Sequence, residues 1–249
     1  MGAFVYLKVE PLRTRWAAAL SALADPAHAA HQDAVHEARE VLRIVRVLLA
    51  GVPSQRARAL RVELGRAYHD STTARELEVM LALASRHLGG QGAALVLRHA
   101  PRLAALRALL AARFAALAAA VEAFALLSSV RLRRRRVRRH AQKLWRAVLA
   151  MRRRARRKGG EAHWHALRIA LKRYRFYGEL FAAALPAKGA DRVRRCRRLQ
   201  GLLGQWRDLA ALEAFLAEEG GVLAGARVEL GGLATAAFAD ARRAAARLR

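Results

Sequence analysis

The chain has 249 residues and carries 47 Lys and Arg against 19 Asp and Glu, a formal net charge of +28, with 55% hydrophobic and 6% aromatic residues. That apolar content excludes a disordered basic tail, and the length suits one large domain or two small ones. Cys196 is the sole cysteine, which excludes an intramolecular disulfide framework and a cysteine-based zinc finger.

After Pro11 nearly everything reads as helix, because Ala, Leu and Arg dominate and no alternating strand pattern stands out. Helices are predicted over 11–24 and 26–51, the second opened by Asp25-Pro26 with Pro26 in the first turn, where a missing N–H is tolerated. Gly51-Val52-Pro53-Ser54 separates it from a helix over 54–69, and another follows over 72–88. Gly89-Gly90-Gln91-Gly92 reads as a loop before a helix over 99–128. The stretch Leu109–Val130 is long enough to span a bilayer, but Arg113 and Glu122 interrupt it and alanine supplies much of its apolarity, which favours a buried helix. Helices over 131–158, 161–185, 188–204, 206–219 and 224–248 complete the reading, with ends at Gly159-Gly160, Pro186 and Gly220-Gly221. The apolar run near the start is short and alanine-rich with no convincing cleavage site, so a soluble cytoplasmic protein is expected.

The positive charge is unevenly placed. Residues 1–122 hold 16 Lys and Arg against 10 Asp and Glu, whereas residues 123–249 hold 31 against 9. No acidic residue lies between Glu122 and Glu161, while 15 basic ones fall between Arg131 and Lys158. So much like charge costs self-repulsion, which a polyanion offsets: nucleic acid, an anionic membrane surface or inorganic polyphosphate. The bland alternative for the Arg131–Arg139 run is a solvated helix face.

A second pattern is more specific. VHEAREVLRIVRVLL from Val35 and WHALRIALKRYRFYG from Trp164 align on their histidines, so that His36, Arg39, Arg43 and Arg46 match His165, Arg168, Lys172 and Arg175. The offsets i, i+3, i+7 and i+10 place the four side chains within roughly 80° of one another on a helix, as one cationic stripe. Val41, Leu42, Val45, Leu48 and Leu49 lie behind the first stripe; Ala170, Leu171, Tyr174 and Tyr177 lie behind the second, with Gly178 where the first copy has Leu49. An Arg-acid pair follows each histidine, Arg75-Glu76-Leu77-Glu78 after 39 residues and Arg207-Asp208 after 42. These carboxylates orient a nearby guanidinium or form a structural ion pair at a helix junction. Arg135, Arg139, Arg146, Arg153 and Arg157 fall within roughly 40° of one another on the 131–158 helix, and Arg192, Arg194, Arg195, Arg197 and Arg198 crowd the start of 188–204. Both clusters extend a basic track or add long-range attraction.

The stripe histidines admit three readings. As metal ligands they lack company at helical spacing, and as general bases they lack a nucleophile on their face. As phosphate contacts they share a face with three cations, and a bound polyanion favours the imidazolium. A structural hydrogen bond is the remaining alternative. No GxxxxGK[ST] loop and no convincing carboxylate cluster is present, so no enzymatic phosphoryl transfer and no cofactor is expected.

The duplicated HxxRxxxRxxR helix and its Arg-acid junction resemble the CHAD family (conserved histidine α-helical domain), the fit being best for HALRIALKRYRFYGELF and CRRLQGLLGQWRDL. The first copy departs from the family pattern, having Arg43-Ile44 where the second has Lys172-Arg173, and Glu40 beside the stripe. The resemblance implies an all-α fold, one CHAD-like domain over 1–249, built as two four-helix-bundle-like halves (about 1–128 and 129–249) related by an internal pseudo-twofold, with a basic groove or pore between them. It also implies non-catalytic binding of inorganic polyphosphate, through His36, Arg39, Arg43 and Arg46 and through His165, Arg168, Lys172, Arg173 and Arg175, with Arg135, Arg139, Arg146, Arg194 and Arg198 extending the track. No ExExK signature occurs, so a stand-alone domain is expected, and association with polyphosphate granules is one role open to it. The competing class is a basic helical protein that binds nucleic acid without sequence preference. Few aromatics interleave its basic runs, which disfavours a single-strand reader but leaves a duplex binder standing.

Overall fold

A computed structural model describes residues 4–8, 10–50, 52, 54–125, 129–219 and 224–248. It is all-α apart from two short strands. In chain order come β1 (Phe4–Lys8), α1 (Glu10–Ala24), α2 (Ala34–Leu49), α3 (Gln55–Asp70), α4 (Thr72–Ala115), α5 (Ala118–Ala125), β2 (Ser129–Arg133), α6 (Arg134–Lys158), α7 (Glu161–Leu180), α8 (Ala187–Glu218) and α9 (Ala224–Ala246). No helix among the described residues is long and apolar enough to cross a membrane.

The chain forms two compact units. The first runs from Tyr6 to Leu132, and the second takes Arg133 onward together with Phe4 and Val5. In the first, α1 packs on α2, α4 and α5, and α2 on α3. Trp16 and Phe114 meet at its centre, 5.6 Å between ring centroids, with Leu42, Leu48 and Leu64 buried alongside them. In the second, α6–α9 enclose one core in which Val148, Leu167, Leu171, Leu199 and Leu203 are buried. Its α6 packs on α7, α7 on α8, and α8 on α9.

Several predicted boundaries are corrected. The helix assigned to 26–51 begins at Ala34, because side chains ahead of it satisfy the backbone in turns instead. Asp25 Oδ1 accepts the Ala27 N–H at 2.9 Å, His28 Nδ1 accepts the Ala30 N–H at 3.0 Å, and His31 Nδ1 lies 2.7 Å from the Ala22 carbonyl. The loop expected at 89–92 is a kink inside α4: Gly89 takes φ 51° and ψ −125°, a conformation open only to glycine, and helix resumes at once. Gly92 then lies so close to the Ala84 carbonyl that a Cβ would stand 2.2 Å from its oxygen. The helix expected over 99–128 instead ends at Ala115, with α5 separate, and the helix expected from 131 starts only at Arg134, since Ser129–Arg133 is strand β2. There Arg131 and Arg133 are exposed and Leu132 is buried, a two-residue period that pairing with β1 stabilises. The two helices expected over 188–204 and 206–219 are one, α8, which runs on through Gly201 and Gly204 while its buried side moves round from Cys196, Leu199 and Leu203 to Leu209, Leu212 and Leu216. Gly159-Gly160 and Pro186 stand at helix ends as predicted. The breaks assigned to Gly51, Pro53 and Gly220-Gly221 lie outside the described residues.

Candidate functional site

In the first unit α2 is sharply two-sided. Val35, Ala38, Val41, Leu42, Val45, Leu48 and Leu49 are buried, while His36, Arg39, Arg43 and Arg46 are half-buried on the other side. The stripe does not extend freely into solvent. Its guanidiniums gather on one phenol ring of α3, Tyr68, whose centroid lies 4.1 Å from Arg39 Cζ, 5.9 Å from Arg43 Cζ and 5.8 Å from Arg46 Cζ. Arg39 Nη1 also donates to the Tyr68 carbonyl at 2.9 Å and to Ser71 Oγ at 2.6 Å, which locks it into the α3–α4 junction. Burial pulls this guanidinium below its ordinary value, with Arg43 and Arg75 adding to the effect, although an arginine so placed remains cationic. Arg43 pairs with Glu40 at 2.8 Å, so one stripe cation is already neutralised. Arg46 rests on Gly65, where a Cβ would come 3.3 Å from its Nη2.

In the second unit α7 buries Trp164, Leu167, Ala170, Leu171, Tyr174 and Tyr177 and leaves His165, Arg168, Lys172 and Arg175 half-buried, with Arg173 exposed. Burial holds the His165 imidazole below its ordinary value; the neighbouring Arg207 and Arg168 press in the same direction and Glu161 opposes them. The buried Nδ1 of His165 and Nε of Arg168 have no hydrogen-bond partner among the described residues. Glu179 accepts from Arg197 at 2.7 Å and lies 3.7 Å from Arg175 Nε, while Arg207 Nη1 donates to Glu161 at 2.7 Å.

Two residues beyond the predicted site join these groups. Arg75 presses on Arg39 in the first unit, and Arg207 presses on His165 in the second. Both belong to the Arg-acid pairs that the sequence displays about 40 residues after each histidine. In the first unit the acid of consequence is Glu78. Its side chain is 5% exposed and bridges Arg75 Nη1 at 3.2 Å and Arg107 at 2.9 and 3.1 Å, and Arg107 also reaches the Gln32 carbonyl at 3.4 Å. Arg107 carries no sequence signal, since it stands alone in an alanine-rich run.

The outlying candidates divide. Arg135, Arg139 and Arg146 are exposed on α6 and make no ion pair or hydrogen bond with the α7 stripe among the described residues. Their neighbours Arg134, Arg138 and Arg152 instead donate to carbonyls at the ends of other segments: Ala183 at 3.1 Å, Ala184 at 2.9 Å, and Ala245 at 2.7 Å. On α8, Arg194 and Arg198 are exposed, and Arg194 pairs with Asp191. Arg192 stacks 4.8 Å from the Trp145 ring centroid. Among the described residues no three of His, Cys, Asp and Glu converge as metal ligands do.

The family model for the CHAD domain matches residues 12–217. The chain belongs to the CHAD family. A crystal structure of the CHAD domain from the plant Ricinus communis is similar to it with a TM-score of 0.68 and 22% identity, over 97% of this chain and 90% of that one. At that identity the likeness speaks for the fold. No match was found among the curated proteins. The segment matched to the CHAD domain takes in both stripes and both Arg-acid pairs and stops short of α9.

Proposed function

We propose that this CHAD domain binds inorganic polyphosphate without hydrolysing it, through two cationic stripes that are the corresponding parts of an internal repeat. The observation that carries the reading is the half-burial of His36, Arg39, Arg43 and Arg46 and of His165, Arg168, Lys172 and Arg175. Half-buried cations are less screened by salt than exposed ones, and their donors are within reach of a slender chain that has a negative charge on every phosphate and no bases. A duplex meets chiefly the exposed arginines of α6, such as Arg135, Arg139 and Arg146. Those side chains and the exposed Arg194 and Arg198 act here as the outer part of the track, drawing the polyanion in. Arg75 and Arg207 join the inner part. One long chain engaging both stripes gains by effective concentration, so affinity rises with chain length. Association with polyphosphate granules in the cytoplasm is one role open to such binding.

Titration against long-chain polyphosphate and duplex DNA at several salt concentrations tests the reading. Polyphosphate is expected to bind more tightly and to lose less affinity as salt rises; equal or tighter DNA binding at moderate salt overturns it in favour of a nucleic-acid binder. Replacing Arg168, Lys172 and Arg175 together by Gln is expected to lower polyphosphate affinity by roughly 1,000-fold or more, since each lost charge-assisted contact is worth about 1.5–3 kcal/mol. Release of inorganic phosphate from the bound chain, with or without Mg²⁺, overturns the non-catalytic part.

A further inference from the structure

Away from the stripes, the second unit holds a cavity of about 590 Å³ between the C-terminal end of α6, the start of α7 and α9. Its floor is apolar. Ala155 and Trp164 are buried there, and Phe238 stands edge-on to Trp164 with 5.3 Å between ring centroids. Its rim is cationic, formed by Arg156, Arg242 and Arg243, and no acidic residue lines it. Arg243 is taken up by Asp240, whereas Arg156 and Arg242 are exposed and have no ion pair among the described residues.

This combination differs in kind from the stripes. The volume falls in the range of about 300–1,000 Å³ typical of small-molecule sites. An inorganic polyphosphate has no apolar surface to set against the open part of Phe238, so the floor adds nothing to its binding. An anion with a flat apolar body uses both parts: its body covers what Phe238, half-buried and stacked on Trp206, leaves open, while guanidinium forks meet its phosphates. The wall formed by α9 also lies outside the segment matched to the CHAD domain, and no stripe cation lines the cavity. We propose that this cavity binds a nucleoside phosphate, with the base against Phe238 and the phosphates on Arg156 and Arg242.

Calorimetric titration of the full chain, presaturated with long-chain polyphosphate to occupy the stripes, tests the assignment with ATP and tripolyphosphate as probes. The two share the triphosphate and differ in the nucleoside. ATP is expected to bind at least about tenfold more tightly, and the double variant Arg156→Glu/Arg242→Glu to lose at least about tenfold of that affinity. Both positions are exposed, so the variant keeps its fold. Ala239→Trp, which fills the cavity from α9, is expected to abolish ATP binding and leave long-chain polyphosphate binding unchanged. Equal affinity for ATP and tripolyphosphate, indifference to the charge reversal, or tighter binding of dodecyl phosphate than of ATP overturns the proposal. The stripe variant Arg168→Gln/Lys172→Gln/Arg175→Gln keeps its ATP affinity under this assignment, so failure of the polyphosphate reading and failure of this one are separately visible.

Discussion

Two chemically identical substitutions in the second unit are expected to move its stability in opposite directions. Gly201 lies in α8 with no atom within 4 Å of where a Cβ would stand, among the described residues, so Gly201→Ala gains the helix preference of alanine alone, about 1 kcal/mol. Gly178 lies in α7 against α8, and a Cβ there would come 2.3 Å from Val193 Cγ2, with Leu185 Cδ1 at 3.5 Å. Carbon atoms pack best at about 3.5–4.0 Å, so the added methyl is deep in the repulsive wall. The atom it meets sits on a stiff β-branched side chain, which leaves displacement of one helix as the way out. Overpacking of this kind costs roughly 1–3 kcal/mol and outweighs the helix preference, so Gly178→Ala is expected to destabilise by about 1–2 kcal/mol. Equilibrium unfolding in guanidinium reads both shifts. Three of the four tryptophans, Trp145, Trp164 and Trp206, belong to the second unit and make fluorescence a suitable probe. In a Val193→Ala background the cost of Gly178→Ala should disappear, with a coupling of at least about 1 kcal/mol. The reasoning is refuted if Gly178→Ala stabilises as Gly201→Ala does, or if its effect is indifferent to Val193.

Glu78→Gln keeps the shape of a buried side chain but leaves Arg75 and Arg107 facing each other without their carboxylate. A loss of about 3 kcal/mol in the first unit is expected, largely recovered by adding Arg107→Met; a loss below about 0.5 kcal/mol counts against a buried bridge. His165, half-buried on α7, is held below the ordinary 6.5, chiefly by burial, so the unfolded chain protonates first. Its contribution is present in full above that value and is lost as pH falls through it, so Tm should drop between about pH 7.5 and 5.5 and drop less in His165→Gln. An unchanged pH slope in that variant contradicts this. Cys196 is wholly buried and its thiol is pushed up to about 12 by burial, so a thiol reagent should label it only as fast as the second unit opens. Prompt labelling of the native chain goes against that placement.

The residues needed to find the stripes are all visible in the sequence. A helix has a fixed angle per residue, so the offsets of His36, Arg39, Arg43 and Arg46 put them on one side of α2 and Val41, Leu42, Val45, Leu48 and Leu49 on the buried side, whatever the rest of the chain does. The same local geometry makes α7 two-sided. What the offsets do not contain is distance to other helices. Tyr68 reaches three stripe arginines from α3, Glu40 neutralises Arg43, and Arg107 finds Glu78 from 29 residues away, none of which follows from periodicity. The helix limits show the same division. Gly159 and Pro186 punctuate the chain locally and mark real ends, and Gly89 marks a real kink in α4, whereas Gly201 and Gly204 lie inside the continuous α8, where burial of its leucines outweighs a glycine's cost of about 1 kcal/mol. The basic excess that first drew attention, +28 over the chain, is likewise set by sequence. Tertiary structure decided how it is divided: some arginines are held half-buried in two stripes, some fasten helix ends through carbonyls, and the rest stand in solvent. Sequence fixes which groups carry charge, but only packing sets how much water each one keeps.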